Sequence, residues 1–508
     1  MSRLTRLLFV VFLTTALAAG LAAAQSPRRG GVLRAGLNAD PPNLDPHQST
    51  AAVDRQVFQN LFDKLVDIDE RFTIVPMLAT SWTITNGGKT YTFKLRPDVV
   101  FHDGTPFNAE AVKFNFERML DRAFASPRRF EIILVAKVTV LDALTVQVDL
   151  ESPFSPFLAV LSDRAGMMVS PAAARRLGRD FAREPVGTGP YKFVEKRPQE
   201  RIVLERFDRY WDRTAAFVDR IIYRPFVDGQ ARLANLRAGE LDIIDQVEPT
   251  DVPELRRDTR VRMTEGEGLG WQGIWLMVQG PPFNNRALRQ ALNATIDRRT
   301  LVRVVFGDTA TPANGPFPTG MLASDAGPNA RIPERNLDLA RAKLREGGQP
   351  AGFAFTMKIV PGRVSQQIGQ IVQSMAGEAG IRVNLEIVEF GALLSVLASL
   401  RYEAALLGWS GRPDPDGNIY NNFVTGAGQN RAGYANPRFD GLLGAARILT
   451  TPDHRRRAYA DALTIMNEDL PYLFLYWPKE YKVMSLKVGG YPHNPDGMMR
   501  FRQVWLNP

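Results

Sequence analysis

No cysteine occurs anywhere in the 508 residues. Its absence excludes disulfides, thiolate metal ligands and cysteine nucleophiles, and it removes the lipidated cysteine on which a lipoprotein anchor depends. Histidine is almost as scarce. His47, His102, His454 and His493 lie far apart without ligand spacing, so neither a metal site nor a metal cargo is expected. H-E-x-x-H, G-x-S-x-G, a P-loop and a G-x-G-x-x-G ahead of a helix are all missing. Gly408-Trp409-Ser410-Gly411-Arg412 falls short of a nucleophile elbow at its last position. His102-Asp103 sits in a glycine-proline turn with no nucleophile at fixed spacing and reads as turn chemistry. The reading is therefore of no enzyme, no catalytic residue and no cofactor, with a peptide hydrolase as the less favoured alternative. Dense runs of Lys and Arg are lacking too: the net charge of +9 is scattered among acids, as in Glu200-Arg201 and Glu205-Arg206. Nucleic acid is not an expected partner.

Long apolar runs are limited to one, Leu7–Leu21, which follows Arg3 and Arg6 and precedes the small residues Ala22-Ala23-Ala24. Basic flank, apolar run and small residues together predict an export signal over residues 1–24, cleaved near Ala24. The run is shorter than the roughly 20 residues that span a bilayer. An exported chain without disulfides or a lipidated cysteine is expected in a bacterial periplasm, with no stable membrane insertion after cleavage.

What remains has an ordinary globular composition, 45% apolar and 23% charged, and is long enough to predict two or three lobes. In the C-terminal half, Phe353, Phe355, Met357 and Ile359 repeat with the period of a strand. Ile368, Ile371, Val372 and Met375 then keep helical spacing up to Gly377 and Gly380. Val383, Leu385 and Ile387 return to period two, Leu393, Leu394 and Leu397 mark a second helix, and Ala404–Gly408 a third strand. Right-handed crossovers make such strands parallel. The loops Pro361–Ser365, Val388–Gly391 and Gly408–Asp416 are then expected to face one crevice, where open α/β sheets bind ligands.

The N-terminal half reads as α+β. Thr83–Thr85 and Tyr91–Leu95 form a predicted hairpin about Asn86-Gly87-Gly88. Asn108 is a predicted N-cap for a helix carrying Val112, Phe116, Met119 and Leu120. A short helix is expected over Leu233–Gly239, feeding a strand at Leu241–Ile244.

Segments along nearly the whole chain resemble the extracytoplasmic solute-binding proteins of the dipeptide/oligopeptide class (bacterial solute-binding protein family 5), which serve ABC importers. They include Asn43-Leu44-Asp45-Pro46-His47, Pro76-Met77-Leu78-Ala79-Thr80-Ser81-Trp82, and Tyr91-Thr92-Phe93-Lys94-Leu95-Arg96 leading to Phe101-His102-Asp103-Gly104-Thr105-Pro106-Phe107. Gly187-Thr188-Gly189-Pro190-Tyr191, Tyr210-Trp211-Asp212 and Leu236-Arg237-Ala238-Gly239-Glu240-Leu241-Asp242 continue the series. The resemblance implies a two-lobed α/β fold of periplasmic binding protein type, with an additional α+β subdomain inserted in the N-terminal lobe. Lobe I would comprise residues 25–56, 185–270 and 479–508, the insert 57–184, and lobe II 271–478, with hinge crossings near Gly270 and Lys479. It also implies a monomer that takes a peptide or peptide-like solute between its lobes and delivers it to the transmembrane subunits of a permease. The alternative cargoes are an opine, an oligosaccharide, an anionic compound or a metal complex.

In dipeptide-binding relatives, the loop after Gly-Trp-x-Gly carries an aspartate for the peptide's free amine. Here Gly408-Trp409-Ser410-Gly411 is followed by Arg412 and then Asp414 and Asp416. A guanidinium repels an ammonium. Three readings stay open: Asp414 takes the amine, Arg412 takes an anionic group in bidentate fashion, or Arg412 pairs with Asp414 or Asp416 and braces the loop. Arg363 stands near the relatives' carboxylate-binding arginine, and Phe390 where they carry an aromatic pocket wall. Trp409 offers a stacking face, and Ser49 and Thr50 offer polar contacts from the opposite lobe.

Overall fold

Burial alternates along strand Ala354–Ile359, with Phe355, Met357 and Ile359 inside, because successive side chains leave opposite faces of a pleated strand. The computed structural model describes residues 27–70, 73–494 and 496–508; the export-signal reading of residues 1–24 lies outside the described residues. Helix Arg363–Gly377 buries Ile368 and Val372 against that strand. Strand Arg382–Ile387, helix Phe390–Ala398 and strand Ala404–Leu406 complete the unit. Ala354–Ile359 pairs in parallel with both of the other strands, Phe355 opposite Val383 and Met357 opposite Ala404. The β-α-β-α-β reading thus matches the fold. The helices begin earlier than read, at Arg363 and Phe390, so much of each expected loop is helix.

One sheet runs through both lobes. From the second lobe its order is Arg382–Ile387, Ala354–Ile359, Ala404–Leu406, Gln272–Leu276 and Tyr472–Ser485. It continues into the first lobe with Ile243–Ile244, Val32–Leu37, Arg220–Pro225, Arg201–Arg206 and Tyr191–Arg197. The 14-residue strand Tyr472–Ser485 belongs to both. Its first residues pair with Gln272–Leu276, and its last with Val261–Glu267 and Ile243–Ile244. The chain also crosses between Val261–Glu267 and Gln272–Leu276. There Trp271 and Trp409 exchange backbone hydrogen bonds of 3.1 and 2.8 Å. A Cβ on Gly270 would lie 2.5 Å from the Trp409 carbonyl oxygen, and one on Gly408 2.1 Å from that of Trp271. Only glycine allows this approach.

The inserted subdomain is an antiparallel sheet ordered Ala79–Thr85, Thr90–Leu95, Thr145–Leu150 and Val135–Asp142. Its core gathers Tyr91, Phe93, Val146 and Val148 with Val112 and Phe116 of helix Ala109–Leu120. Asn108 caps that helix, its side chain accepting the Ala111 N–H at 3.0 Å. Replacing Asn108 with alanine should lower unfolding free energy by about 1 kcal/mol, whereas Asn108→Asp should be near neutral, as read from urea denaturation. The Gly187-Thr188-Gly189 run lies against the end of helix Ala52–Leu61, where a Cβ on Gly187 would come within 2.2 Å of the Leu61 carbonyl. Helix Gly229–Arg237 starts four residues before its expected place because Asp228 caps it, accepting from the Ala231 N–H at 2.7 Å.

Candidate ligand cleft

A cleft of about 600 Å³ opens between the lobes. Thr50, Ala51 and Ala52, at the start of helix Ala52–Leu61, line it from the first lobe together with Arg128 and Arg164. Trp275, Phe390, Leu394 and Gly408–Ser410 line it from the second lobe, with the Thr425–Ala435 loop and its Arg431. Two of the three expected loops therefore reach the cleft. Pro361–Ser365 does not, because the chain turns directly into helix Arg363–Gly377 there, leaving Arg363 exposed.

The expected site residues separate into two groups. Thr50, Phe390 and Trp409 line the cleft; Phe390 is 49% exposed, and Trp409 is held by donating its indole N–H to the Gly417 carbonyl at 3.0 Å. Ser49, Arg412, Asp414 and Asp416 do not line it. Ser49 is buried and donates its hydroxyl to Asp54 at 2.6 Å. Asp414 accepts two hydrogen bonds from Arg455, at 2.9 and 2.6 Å, and Asp416 pairs with Arg447 at 3.0 Å. Burial pushes the Asp416 carboxyl up to about 6 against the lowering charge of Arg447. With both aspartates committed, Arg412 reaches the other lobe: its Nε lies 3.2 Å from Asp163, and its guanidinium stacks 4.7 Å from the Trp409 ring. Its side chain is only 11% exposed, and burial lowers its pKa to about 10 although Asp163 raises it. The charged tail of the loop thus closes on the protein rather than on the cleft.

Arg412 is one end of a buried chain of alternating charge. Asp163 also binds Arg55 at 3.1 Å, Arg55 approaches Asp496 at 3.7 Å, and Asp496 takes Arg500 at 2.7 Å. Arg500 lies 3.9 Å from Asp67, which Lys64 meets at 2.6 Å. Four cations and three carboxylates thus link the second lobe through the start of helix Ala52–Leu61 to the residues near the C-terminus.

Several lining residues carried no sequence signal. Arg128, Arg164 and Arg431 look like the many other scattered arginines, and Trp275 lies inside a strand. Gly426, Gly428 and Gly433 around Arg431 are a glycine cluster of the kind that shapes ligand loops. Among the described residues, the ionisable ones that line the cleft are these three arginines and Tyr434, with no aspartate, glutamate or lysine. Arg431 donates to the Leu394 carbonyl at 3.3 Å and to Gln429 at 2.9 Å.

Residues 73–431 match the family model described as bacterial extracellular solute-binding proteins, family 5 Middle. The chain belongs to this family. A glutathione-binding protein of Pectobacterium atrosepticum is 30% identical over 477 residues, covering 91% of this chain and 92% of the relative. The periplasmic binding protein DppA of Helicobacter pylori, solved with peptide STSA, is 28% identical with a TM-score of 0.86, covering 94% and 98% of the two chains. A Pseudoalteromonas dipeptide-binding protein, solved with Met-Leu, is 25% identical with a TM-score of 0.87, covering 94% and 100%. This family 5 protein is accordingly an extracytoplasmic solute-binding component of an ABC importer, which hands a solute to permease subunits. No helix among the described residues is long and apolar enough to cross a membrane.

Proposed function

We propose that this protein captures a small peptide-like solute with net negative charge in the periplasm and delivers it without chemical change. The observation that carries the reading is the cleft's charge: among the described residues, three arginines line it and no carboxylate does. A desolvating cleft so lined favours carboxylates and gives an ammonium no ionic partner. The printed names of the relatives, one binding glutathione and others peptides, lend support. Thr50, Phe390 and Trp409 touch the solute in this reading, while Arg412, Asp414 and Asp416 stand behind the wall and Arg363 stays outside. The lobes divide at the boundaries given above and turn about the crossings at Gly268–Trp271 and Pro478–Lys479. The solute favours the closed form, and the permease reads that form. The mature chain starts after Ala24, carries no lipid and acts as a monomer.

Titration calorimetry of residues 25–508 with glutathione, its diethyl ester, acidic dipeptides, Met-Leu and a dibasic peptide tests this. Glutathione or an acidic dipeptide should bind saturably at one site and be recovered intact. Esterification should weaken binding about 10- to 100-fold, the worth of a charged hydrogen bond. Tighter binding of the dibasic peptide, or appearance of hydrolysed product, contradicts the reading. An anionic solute that is not a peptide is the second possibility, favoured by the same lack of a lining carboxylate, and opines belong in the screen.

A further inference from the structure

We propose that the first lobe carries a preformed carboxylate subsite, built from the N-terminus of helix Ala52–Leu61 together with Arg164 and Arg128. It rests on the functional reading just given and specifies which wall holds the solute's acid group. The helix is ten residues long, and its N-cap is Ala51, which offers no side-chain acceptor. Among the described residues the N–H groups of Ala52 and Val53 have no partner. Unfilled donors at a helix start, backed by the helix dipole, attract an anion. Asp54, in the same turn, does not meet this need at the cleft. It accepts from Ser49 Oγ at 2.6 Å and from the Asn43 N–H at 3.2 Å, and it is absent from the cleft lining.

The second observation is the state of the two arginines beside that helix start. Arg164 is 2% exposed, yet no carboxylate of the described residues lies within 4.0 Å of it. Its Nη1 donates to the Ser49 carbonyl at 3.1 Å, and its Nε, also buried, has no acceptor. Adjacent Asp163 is already shared by Arg55 and Arg412. Arg128 is 4% exposed and pairs with Glu131, but its Nε also lacks an acceptor. Asp163 is the nearest charge that favours the Arg164 cation, and it is divided among several arginines. Burying a guanidinium with no direct ion pair is unfavourable, and placing a second one beside it is more so. Burial and then the Arg128 charge hold the Arg164 pKa well below its usual value. An anion entering where Thr50, Ala51, Ala52, Arg128 and Arg164 meet supplies what this wall lacks. Arg431, on the opposite wall, remains for a second acid group or a polar one.

The test is calorimetry on residues 25–508 with glutathione and its diethyl ester, using wild type, Arg164→Gln and Arg431→Gln. Arg164→Gln should weaken glutathione at least about tenfold while leaving the ester within about twofold, a coupling that reports a charge contact. Equal losses for both ligands, or none, overturn the subsite while the functional reading stands. If wild type binds neither glutathione nor any acidic dipeptide, the functional reading fails and the subsite with it. Ligand-free melting of Arg164→Gln is the companion measurement. A cation kept for a ligand, without a direct ion pair in the protein, should cost little stability when removed, so Tm should hold within a few degrees or rise. A fall of more than about 5 °C marks Arg164 as structural and overturns the proposal.

Discussion

Replacing Asp163 with asparagine should lower unfolding free energy by about 3–5 kcal/mol, the cost of removing one partner from a buried ionic cluster. The side chain is fixed between Arg55 at 3.1 Å and Arg412 at 3.2 Å and is 5% exposed as a residue. Burial alone raises its pKa. The charges of Arg55, Arg412, Arg164 and Arg128 outweigh that and hold the carboxyl far below its usual range. Asparagine keeps the shape and removes the charge. Arg55 is then left with Asp496 at 3.7 Å, and Arg412 with no carboxylate of the described residues within 4.0 Å. Urea denaturation near neutral pH measures the loss. A change within about 0.5 kcal/mol, the range of ordinary surface substitutions, would mean that the cluster is not cohesive. Because Arg412 comes from the other lobe, the variant should also open the ligand-free protein, seen as a larger radius in small-angle scattering. The double variant Asp163→Leu with Arg412→Met should recover part of the stability, since apolar replacement of a buried pair is often neutral.

That ion pair also shows where sequence reading stops. Strand and helix periods are local, so Phe353–Ile359 and Ile368–Met375 declared their elements, and handedness supplied the parallel pairing found at Phe355 and Val383. The cap at Asn108 is equally local. The partner of Arg412 is not. Asp414 and Asp416 are its obvious neighbours, but Arg455 and Arg447, far along the chain, take both of them. Only then does Arg412 reach Asp163, which is about 250 residues away and offers no signal of its own. Arg128 and Arg164 are hidden for a similar reason. In a chain rich in surface arginine, a buried guanidinium becomes visible only once the fold shows what is missing around it. The Pro361–Ser365 loop fails differently: strand-edge reasoning placed it at the cleft, but the helix starting at Arg363 shortens it below the reach needed.

His47 should make the protein acid-sensitive by about 3 kcal/mol between pH 7 and pH 4. Its ring is fully buried, with Nε2 donating to the Met167 carbonyl at 3.0 Å and Nδ1 accepting from Arg118 at 3.0 Å. A second ring proton would have to point at that guanidinium. Burial, then the Arg118 charge, lowers the pKa to about 4, although Asp45 raises it. Above pH 6.5 neither state is protonated and the group is silent. Below that the unfolded chain takes up a proton that the native state refuses until about pH 4, so stability falls with acidification through this window. His102 is also lowered to about 4 by burial, with Nε2 on the Gly189 carbonyl at 3.0 Å, and works in the same direction. Asp54 and Asp416 oppose them. Burial raises both to about 6, so the native state holds protons that the unfolded chain has lost, and acidification through pH 6 to 4 favours folding. The raw pH curve mixes these signs, and His47→Gln isolates one of them, since its amide can still donate to Met167 and accept from Arg118. Wild type should lose about 3 kcal/mol more than the variant between pH 7 and pH 4 in urea denaturation. Parallel curves would mean that His47 charges freely within the native protein, which the Arg118 contact forbids.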